Sequence, residues 1–248
     1  MPKTVLVTGA NGQLGHEICN MLASKGFTII AVTRSKLSKN RPNELRKLGA
    51  TNAFNLLCNF GALSCRRLVS NATYHTKLRI DAIVTAHGHY IDSSITNLKN
   101  ENMEVLFRAN CSSHVLIAQG AFLHCQENSE HVCAMLTVSS IAGFGSRSGN
   151  VMYAASKAAL HGTILSGQNW GEFGFHMFGI APGPFEGKMI QGRGYAAENV
   201  LSRAEVANEI FSLINGDTDS KAASVTEFEK RAGSILRKVH RRSGISDE

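Results

Sequence analysis

Tyr153 and Lys157 stand four positions apart in Tyr153-Ala154-Ala155-Ser156-Lys157, and Ser140 stands thirteen positions before the tyrosine. On a helix, positions i and i+4 share a face. A phenol and an ammonium on one face can move a proton. A free tyrosine titrates near pKa ~10, and each pH unit of depression takes about 1.36 kcal/mol. A fixed neighbouring cation supplies part of that. The tyrosine can then give or take a proton near neutral pH, and the Ser140 hydroxyl can donate to a carbonyl oxygen. The same spacing also occurs on ordinary surface helices, so its meaning rests on the elements that position it.

Short β-rich runs alternate with longer helical stretches along the chain. Strands are expected at Thr4–Thr8, Thr28–Thr33, Asn52–Leu56, Ala82–Ala86, Cys133–Ser139 and Phe175–Ala181. Helices are expected at Gly12–Lys25, Asn43–Leu48, Gly61–His75, Met103–Cys125, Val151–Phe173 and Arg203–Ile214. Such alternation implies an α/β fold, with a parallel sheet and helices on both faces. Right-handed crossovers make it doubly wound. No linker, repeat or low-complexity segment divides the chain, so residues 1–248 are read as a single domain. No final strand is read beyond Ile214.

Composition narrows the function. Hydrophobic residues make up 43% of the 248 residues. No apolar run reaches the roughly 18 residues of a membrane span. Met1–Thr8 leads straight into a glycine loop and reads as a first strand, not a signal sequence. The six cysteines have neither Cys-x-x-Cys nor zinc-ligand spacing, so no metal is expected. They read as reduced, mostly buried thiols, which implies a cytoplasmic location. The net charge is +7, much of it in the basic segment 229–248. That segment is expected to be a solvated, partly frayed terminal helix, not a nucleic-acid arm, because no aromatic residues interleave the charges. A basic protein also suits a phosphorylated cofactor.

Gly9, Gly12 and Gly15 lie between the first strand and the first helix. There a tight turn lets backbone approach a pyrophosphate while the helix N-terminus offers free N–H groups. The spacing is G-x-x-G-x-x-G instead of the usual G-x-G-x-x-G. Asn11, Gln13 and Leu14 belong to the same loop. At the end of the second strand, NAD sites place an acid on the ribose 2′-hydroxyl, whereas an arginine accommodates a 2′-phosphate. This chain has Thr33-Arg34-Ser35-Lys36. An Arg34 fork with hydroxyls from Thr33 and Ser35 favours NADP(H) over NAD(H).

Taken in order, these residues resemble the short-chain dehydrogenase/reductase family from Thr4 to about Ile214. The glycine loop is joined by Thr85-Ala86-His87-Gly88, which resembles the family's Asn-Asn-Ala-Gly motif with the glycine kept. Asn110 matches the helix asparagine, and Ser140, Tyr153 and Lys157 match the catalytic set. Pro182-Gly183 matches the turn beside the nicotinamide. The resemblance implies a Rossmann-like fold and an NADPH-dependent carbonyl reductase or alcohol dehydrogenase. Tyr153 would be the general acid in reduction and the base in oxidation. Lys157 would lower the tyrosine pKa and bind the nicotinamide ribose. Ser140 would hold the substrate oxygen, with Ser139 as the alternative, and Asn110 would position a relay water. Ala86 and Gly88 would border the cofactor, and Asn55 and Leu56 would lie near adenine. The partners implied are a small carbonyl or alcohol substrate and further copies of the chain, as a dimer or tetramer.

Some residues depart from the family pattern. The glycine spacing is similar to that of extended members that modify nucleotide sugars, which makes such an enzyme an alternative. The 65 residues after Gly183 are too few for the substrate region of those members. A catalytically silent cofactor-binding regulator is another alternative. His87 replaces a small alanine and is expected to be a hydrogen-bonded packing residue. Phe178 stands where many members have asparagine. Pro184–Gly194, with Phe185, Met189 and Ile190 among glycines, is expected to be a mobile substrate lid.

Overall fold

Runs of β-branched and aliphatic residues become the strands, and the stretches with apolar residues three or four apart become the helices. The structure is a computed structural model that describes residues 3–35, 38–92, 94–128, 133–145, 150–216 and 223–241. Lys36 and the end of the basic segment, 242–248, lie outside the described residues. In chain order the elements are β1 (Thr4–Thr8), α1 (Gln13–Ser24), β2 (Thr28–Thr33), α2 (Arg41–Lys47), β3 (Asn52–Leu57), α3 (Ala62–Arg66), α4 (Leu68–Thr76) and β4 (Ala82–Thr85). There follow α5 (Asn100–Phe107), α6 (Ser113–Glu127), β5 (Cys133–Val138), α7 (Val151–Leu165), β6 (Phe175–Pro182), α8 (Arg203–Asn215), β7 (Ser224–Arg231) and β8 (Ser234–Arg241).

The strands form a single sheet in the order β3-β2-β1-β4-β5-β6-β7-β8. All neighbours from β3 to β7 are parallel, and β8 returns antiparallel to β7. β1, β2 and β4 are buried at every position, which explains their unbroken apolar runs: both faces of the sheet are covered. On one face Leu14, Ile18 and Leu22 of α1 pack with Val206, Ile210 and Leu213 of α8. On the other, Leu68 and Ala72 of α4, Ile117 and Ala121 of α6, and Leu160 and Ile164 of α7 form the second core. This is the single-domain, doubly wound α/β arrangement. Strand order reverses at β1, whose neighbours are β2 and β4. Ligand crevices of such sheets open at the C-terminal ends of the strands beside such a reversal.

The basic segment differs from expectation. Its described part, 229–241, belongs to a β-hairpin and not to a frayed helix, and β7 is the final parallel strand that the sequence reading missed. Val225, Thr226 and Phe228 are among its buried residues, and the charges of Glu227, Glu229 and Lys230 beside them mask the strand in the sequence. The hairpin turns at Ala232 and Gly233, with φ 46° and 79°. It is tied down by side-chain pairs. The Arg237 guanidinium clasps both oxygens of Glu209 on α8, at 2.9, 2.9 and 2.7 Å.

Three expected helices are also broken. The 61–75 stretch divides at Arg67 into α3 and α4. A π-helical turn, Arg108–Ser112, separates α5 from α6. α7 stops at Leu165, and Gln168–Phe173 continues as a 3-10 turn. Gly167 allows this stop, because a Cβ there would lie 2.7 Å from the Trp170 ring.

Candidate active site

The loops after β1, β4, β5 and β6 converge on a cavity of about 1060 Å³. One end is floored by Gly12, Gln13, Leu14 and Gly15, and the other holds Ser140, Tyr153 and Lys157. Ala86, Gly88, Pro182 and Gly183 line the length between. The glycine turn is sterically obligatory. Gly9 has φ +69°, and a Cβ on Gly15 would stand 2.1 Å from the Gly9 carbonyl oxygen. The Gly12 N–H closes the turn onto the same oxygen at 2.8 Å.

α7 carries Tyr153, Lys157 and His161 on one stripe, as the i, i+4, i+8 spacing requires. Lys157 is 4% exposed. Its ammonium donates to the Val138 carbonyl at 3.3 Å and lies 5.9 Å from the Tyr153 ring centroid. Burial lowers its pKa from 10.5 to about 8, and the thiol of Cys111 opposes this. The tyrosine behaves differently from expectation. Burial raises its pKa, against the pull of its hydrogen bond to Ser140 and the more distant Arg193 charge. The expected depression by Lys157 is not what this geometry produces, and the resting phenol is protonated.

The two adjacent serines separate by direction. Ser139 is buried, and its hydroxyl pairs with His161 Nε2 at 2.8 Å. Ser140 faces the cavity. Its hydroxyl accepts from the Ala142 N–H at 3.2 Å and meets the Tyr153 phenol. Gly143 lets His161 approach, since a Cβ there would lie 2.5 Å from its ring. Burial, followed by the charges of Lys157 and His240, lowers the His161 pKa to about 4.

Asn110 sits in the π turn, fully buried. Its amide accepts from the His89 N–H at 2.7 Å and donates to the His89 carbonyl at 2.8 Å and to Ser156 at 3.1 Å. It therefore clamps the loop after β4 against α7. His87 is a packing residue. It stacks between Phe60 and His114, with centroids 4.4 and 4.1 Å away. Its ring nitrogens are bonded to Thr8 at 2.6 Å and Ser113 at 2.8 Å. Burial, then Lys157, lowers its pKa to about 3, which keeps the ring neutral.

The expected adenosine-end residues fall outside this cavity lining. Asn11 is exposed, with its amide 3.4 Å from Ser35 Oγ. Thr33 is buried and its hydroxyl donates to the Ser35 carbonyl, so that donor is already used. Arg34 is exposed at the end of β2, without an ion pair or hydrogen bond among the described residues. Asn55 and Leu56 lie alongside on β3, and Asn55 reaches the Ser38 carbonyl at 3.5 Å. Phe178 is 4% exposed and belongs to the α1–α8 core.

Several cavity residues escaped the sequence reading. Tyr90 stands edge-on to Tyr153 at 5.0 Å, its hydroxyl bonded by the Asn150 amide. Arg193 lies 4.4 Å over the Tyr90 ring. Glu227, Glu229, Lys230 and Arg231 of β7 form a side wall. Tyr90 and Arg193 carried no motif, and the wall required recognition of β7. The expected lid, Pro184–Gly194, is stitched at its start to Leu201 by two backbone bonds of 2.9 Å. Further on, the Lys188 N–H donates to Gln13 of the glycine loop at 3.1 Å.

All six cysteines are free thiols. Among the described residues, no group of three His, Cys, Asp or Glu side chains is placed to hold a metal ion, and no helix is long and apolar enough to cross a membrane.

The chain is similar to known proteins along most of its length. The family described as short chain dehydrogenase matches residues 3–197. An uncharacterized oxidoreductase of Staphylococcus epidermidis is 26% identical over 227 residues, which is 90% of this chain and 96% of that one. A 3-oxoacyl-[acyl-carrier-protein] reductase of Rickettsia conorii is 27% identical over 168 residues, 66% of this chain and 64% of its own. A crystal structure of a short chain dehydrogenase from Mycobacterium smegmatis superposes with a TM-score of 0.77 at 19% identity, covering 91% of each chain.

Proposed function

We propose that this chain, which belongs to the short-chain dehydrogenase family, is an NADP(H)-dependent oxidoreductase acting between a carbonyl and an alcohol carbon. The observation that carries the reading is the meeting of Ser140, Tyr153 and Lys157 in the same cavity as the glycine loop. The residues present fit a dinucleotide. The loop offers backbone N–H groups at a helix start, and the buried Lys157 ammonium has Val138 as a neutral partner. When bound, NADP(H) supplies the hydride in reduction and accepts it in oxidation.

The chain's own residues handle the oxygen and its proton. Ser140 holds the substrate oxygen beside the phenol. Tyr153, protonated at rest because burial raises its pKa, gives its proton to that oxygen as the carbonyl carbon is reduced. The phenolate so formed is stabilised by the Ser140 hydroxyl, and a solvent proton restores the phenol. In the alcohol-to-carbonyl direction the same groups run in reverse. Asn110 acts as a positioning residue that fixes α7 against the loop after β4. The exposed Arg34 fork, facing the surface beside the glycine loop, supports selection of a 2′-phosphate. The name of the Rickettsia relative supports a 3-oxo carbonyl as substrate type. The free thiols support a reducing compartment such as the cytoplasm. We also take the chain to be a homo-oligomer, which light scattering on the purified protein checks.

The test follows nicotinamide absorbance over a carbonyl panel with wild type and Tyr153→Phe. Tyr153→Phe should lower kcat by about 10²–10⁴-fold and leave NADPH affinity intact. Wild type that binds NADPH yet reduces no carbonyl, and oxidises no alcohol with NADP⁺, refutes the reading. Arg34→Ala should erase the preference for NADPH over NADH.

A further inference from the structure

The substrate end of the cavity is charged in an uneven way. On the β7 wall each charge has a partner. Glu227 is bonded to His240 at 2.9 Å, Glu229 to Arg231, and Lys230 to Glu205 at 3.0 Å. Arg193 lines the same cavity, with its side chain 25% exposed. Its guanidinium carbon lies 4.4 Å from the Tyr90 ring centroid, and the Tyr90 ring meets that of Tyr153 edge-on, with centroids 5.0 Å apart. Its carboxylate partner, Asp92 at 3.1 Å, is 76% exposed. An ion pair with one member in water is weakly held and readily exchanged. A guanidinium carries five N–H donors in a fork matched to a carboxylate, and here Asp92 takes only the Nη2 end of it.

We propose that Arg193 recognises a carboxylate on the substrate, which makes the substrate class a short oxo acid or the corresponding hydroxy acid. The proposal rests on the oxidoreductase reading above and adds the substrate's charge. A single aromatic ring, Tyr90, separates the guanidinium from the phenol. An anion on Arg193 and a carbonyl oxygen on Tyr153 and Ser140 therefore fit within one small molecule. Asp92 occupies the anion position when no substrate is present and swings into solvent when one arrives. Met189, Tyr195 and Phe144 on the cavity rim supply apolar cover for the rest of the molecule. The Arg193 charge also pulls the Tyr153 pKa down, against the larger effect of burial. An arriving carboxylate would neutralise that pull and favour the protonated phenol that reduction uses.

The test pairs an acid with its neutral ester: acetoacetate with ethyl acetoacetate. Wild type, Arg193→Gln, Arg193→Lys and Asp92→Asn are assayed with NADPH. In Arg193→Gln, kcat/KM for acetoacetate should fall by about 10- to 100-fold, mainly through KM, while the ester changes by less than about threefold. Arg193→Lys should recover part of the loss. Asp92→Asn should lower KM for acetoacetate by removing the competing carboxylate. Equal losses for acid and ester in Arg193→Gln, or a raised acetoacetate KM in Asp92→Asn, overturn the proposal.

Calorimetric titration of acetoacetate, with and without saturating NADP⁺, reads binding where no turnover can occur. Arg193-dependent binding of acetoacetate by a wild type that also turns over nothing in the carbonyl and alcohol panel sinks the oxidoreductase reading and keeps the anion site. Turnover of the ester with no Arg193-dependent acetoacetate binding does the reverse.

Discussion

Replacing Lys157 by methionine should stabilise the folded protein while abolishing its chemistry. The lysine is 4% exposed, and burial takes its pKa from 10.5 to about 8. At about 1.4 kcal/mol per pH unit, that drop corresponds to about 3 kcal/mol by which folding disfavours the charged amine. Methionine fills nearly the same volume without a charge. It also gives up the 3.3 Å bond to the Val138 carbonyl, a loss of about 1 kcal/mol. The net expectation is a gain of about 2 kcal/mol near neutral pH, or about 4–8 °C in Tm for a chain of this size. The sign of the pH dependence follows from the depressed pKa. Below about pH 8 both folded and unfolded lysine carry the proton, and the full penalty is present. Between about 8 and 10.5 the unfolded chain holds the proton and the folded one does not, so wild-type stability rises with pH. The assay is urea unfolding of both proteins at about pH 7 and at a pH near the unfolded lysine value. The gap between variant and wild type should close as pH rises. A variant less stable than wild type near neutrality, or a gap that ignores pH, would refute the reasoning.

Three further outcomes are expected. Gly15→Ala places a Cβ 2.1 Å from the Gly9 carbonyl oxygen, so thermal denaturation should show a loss of about 1–3 kcal/mol and calorimetry a loss of NADPH binding. Ser140→Ala should lower kcat by about 10²–10³-fold, whereas Ser139→Ala should cost about 1–2 kcal/mol of stability by leaving His161 unpaired and keep most of the turnover; the opposite pattern would exchange the roles of the two serines. Arg237→Leu strands the buried Glu209 carboxylate, and because the guanidinium is half exposed, chemical denaturation should read a modest loss of about 1–2 kcal/mol.

The parallel core was legible in the sequence because β1, β2 and β4 are buried on both faces and so read as unbroken apolar runs. The glycine loop and the Ser140–Tyr153–Lys157 set were legible for a related reason: each needs fixed residue types at fixed spacing. β7 and β8 were not, since their charges are matched by tertiary pairing, Glu227 with His240 across the hairpin and Lys230 and Arg237 with Glu205 and Glu209 of α8. Read in one dimension, those residues are only a run of charge. The π turn at Arg108–Ser112 was hidden because helix periodicity tolerates one extra residue, and the inserted turn is what swings Asn110 inward. Tyr153 shows a different limit. Spacing places Lys157 one turn away but says nothing about burial, which in the structure outweighs the Ser140 hydrogen bond and the Arg193 charge. Arg193 and Tyr90 meet through tertiary packing alone.

The place of β7 in the chain also bears on how the molecule comes into being. Every other parallel strand precedes it in synthesis, and β6 has β7 as its neighbour on the outer side. While the ribosome is still adding the residues after Asn215, the growing sheet ends at β6 with its outer backbone groups unpaired. The cavity then lacks the wall of Glu227, Glu229, Lys230 and Arg231. A chain stalled or clipped at that stage would carry the glycine loop and the tyrosine yet offer an open, strand-hungry edge to its neighbours.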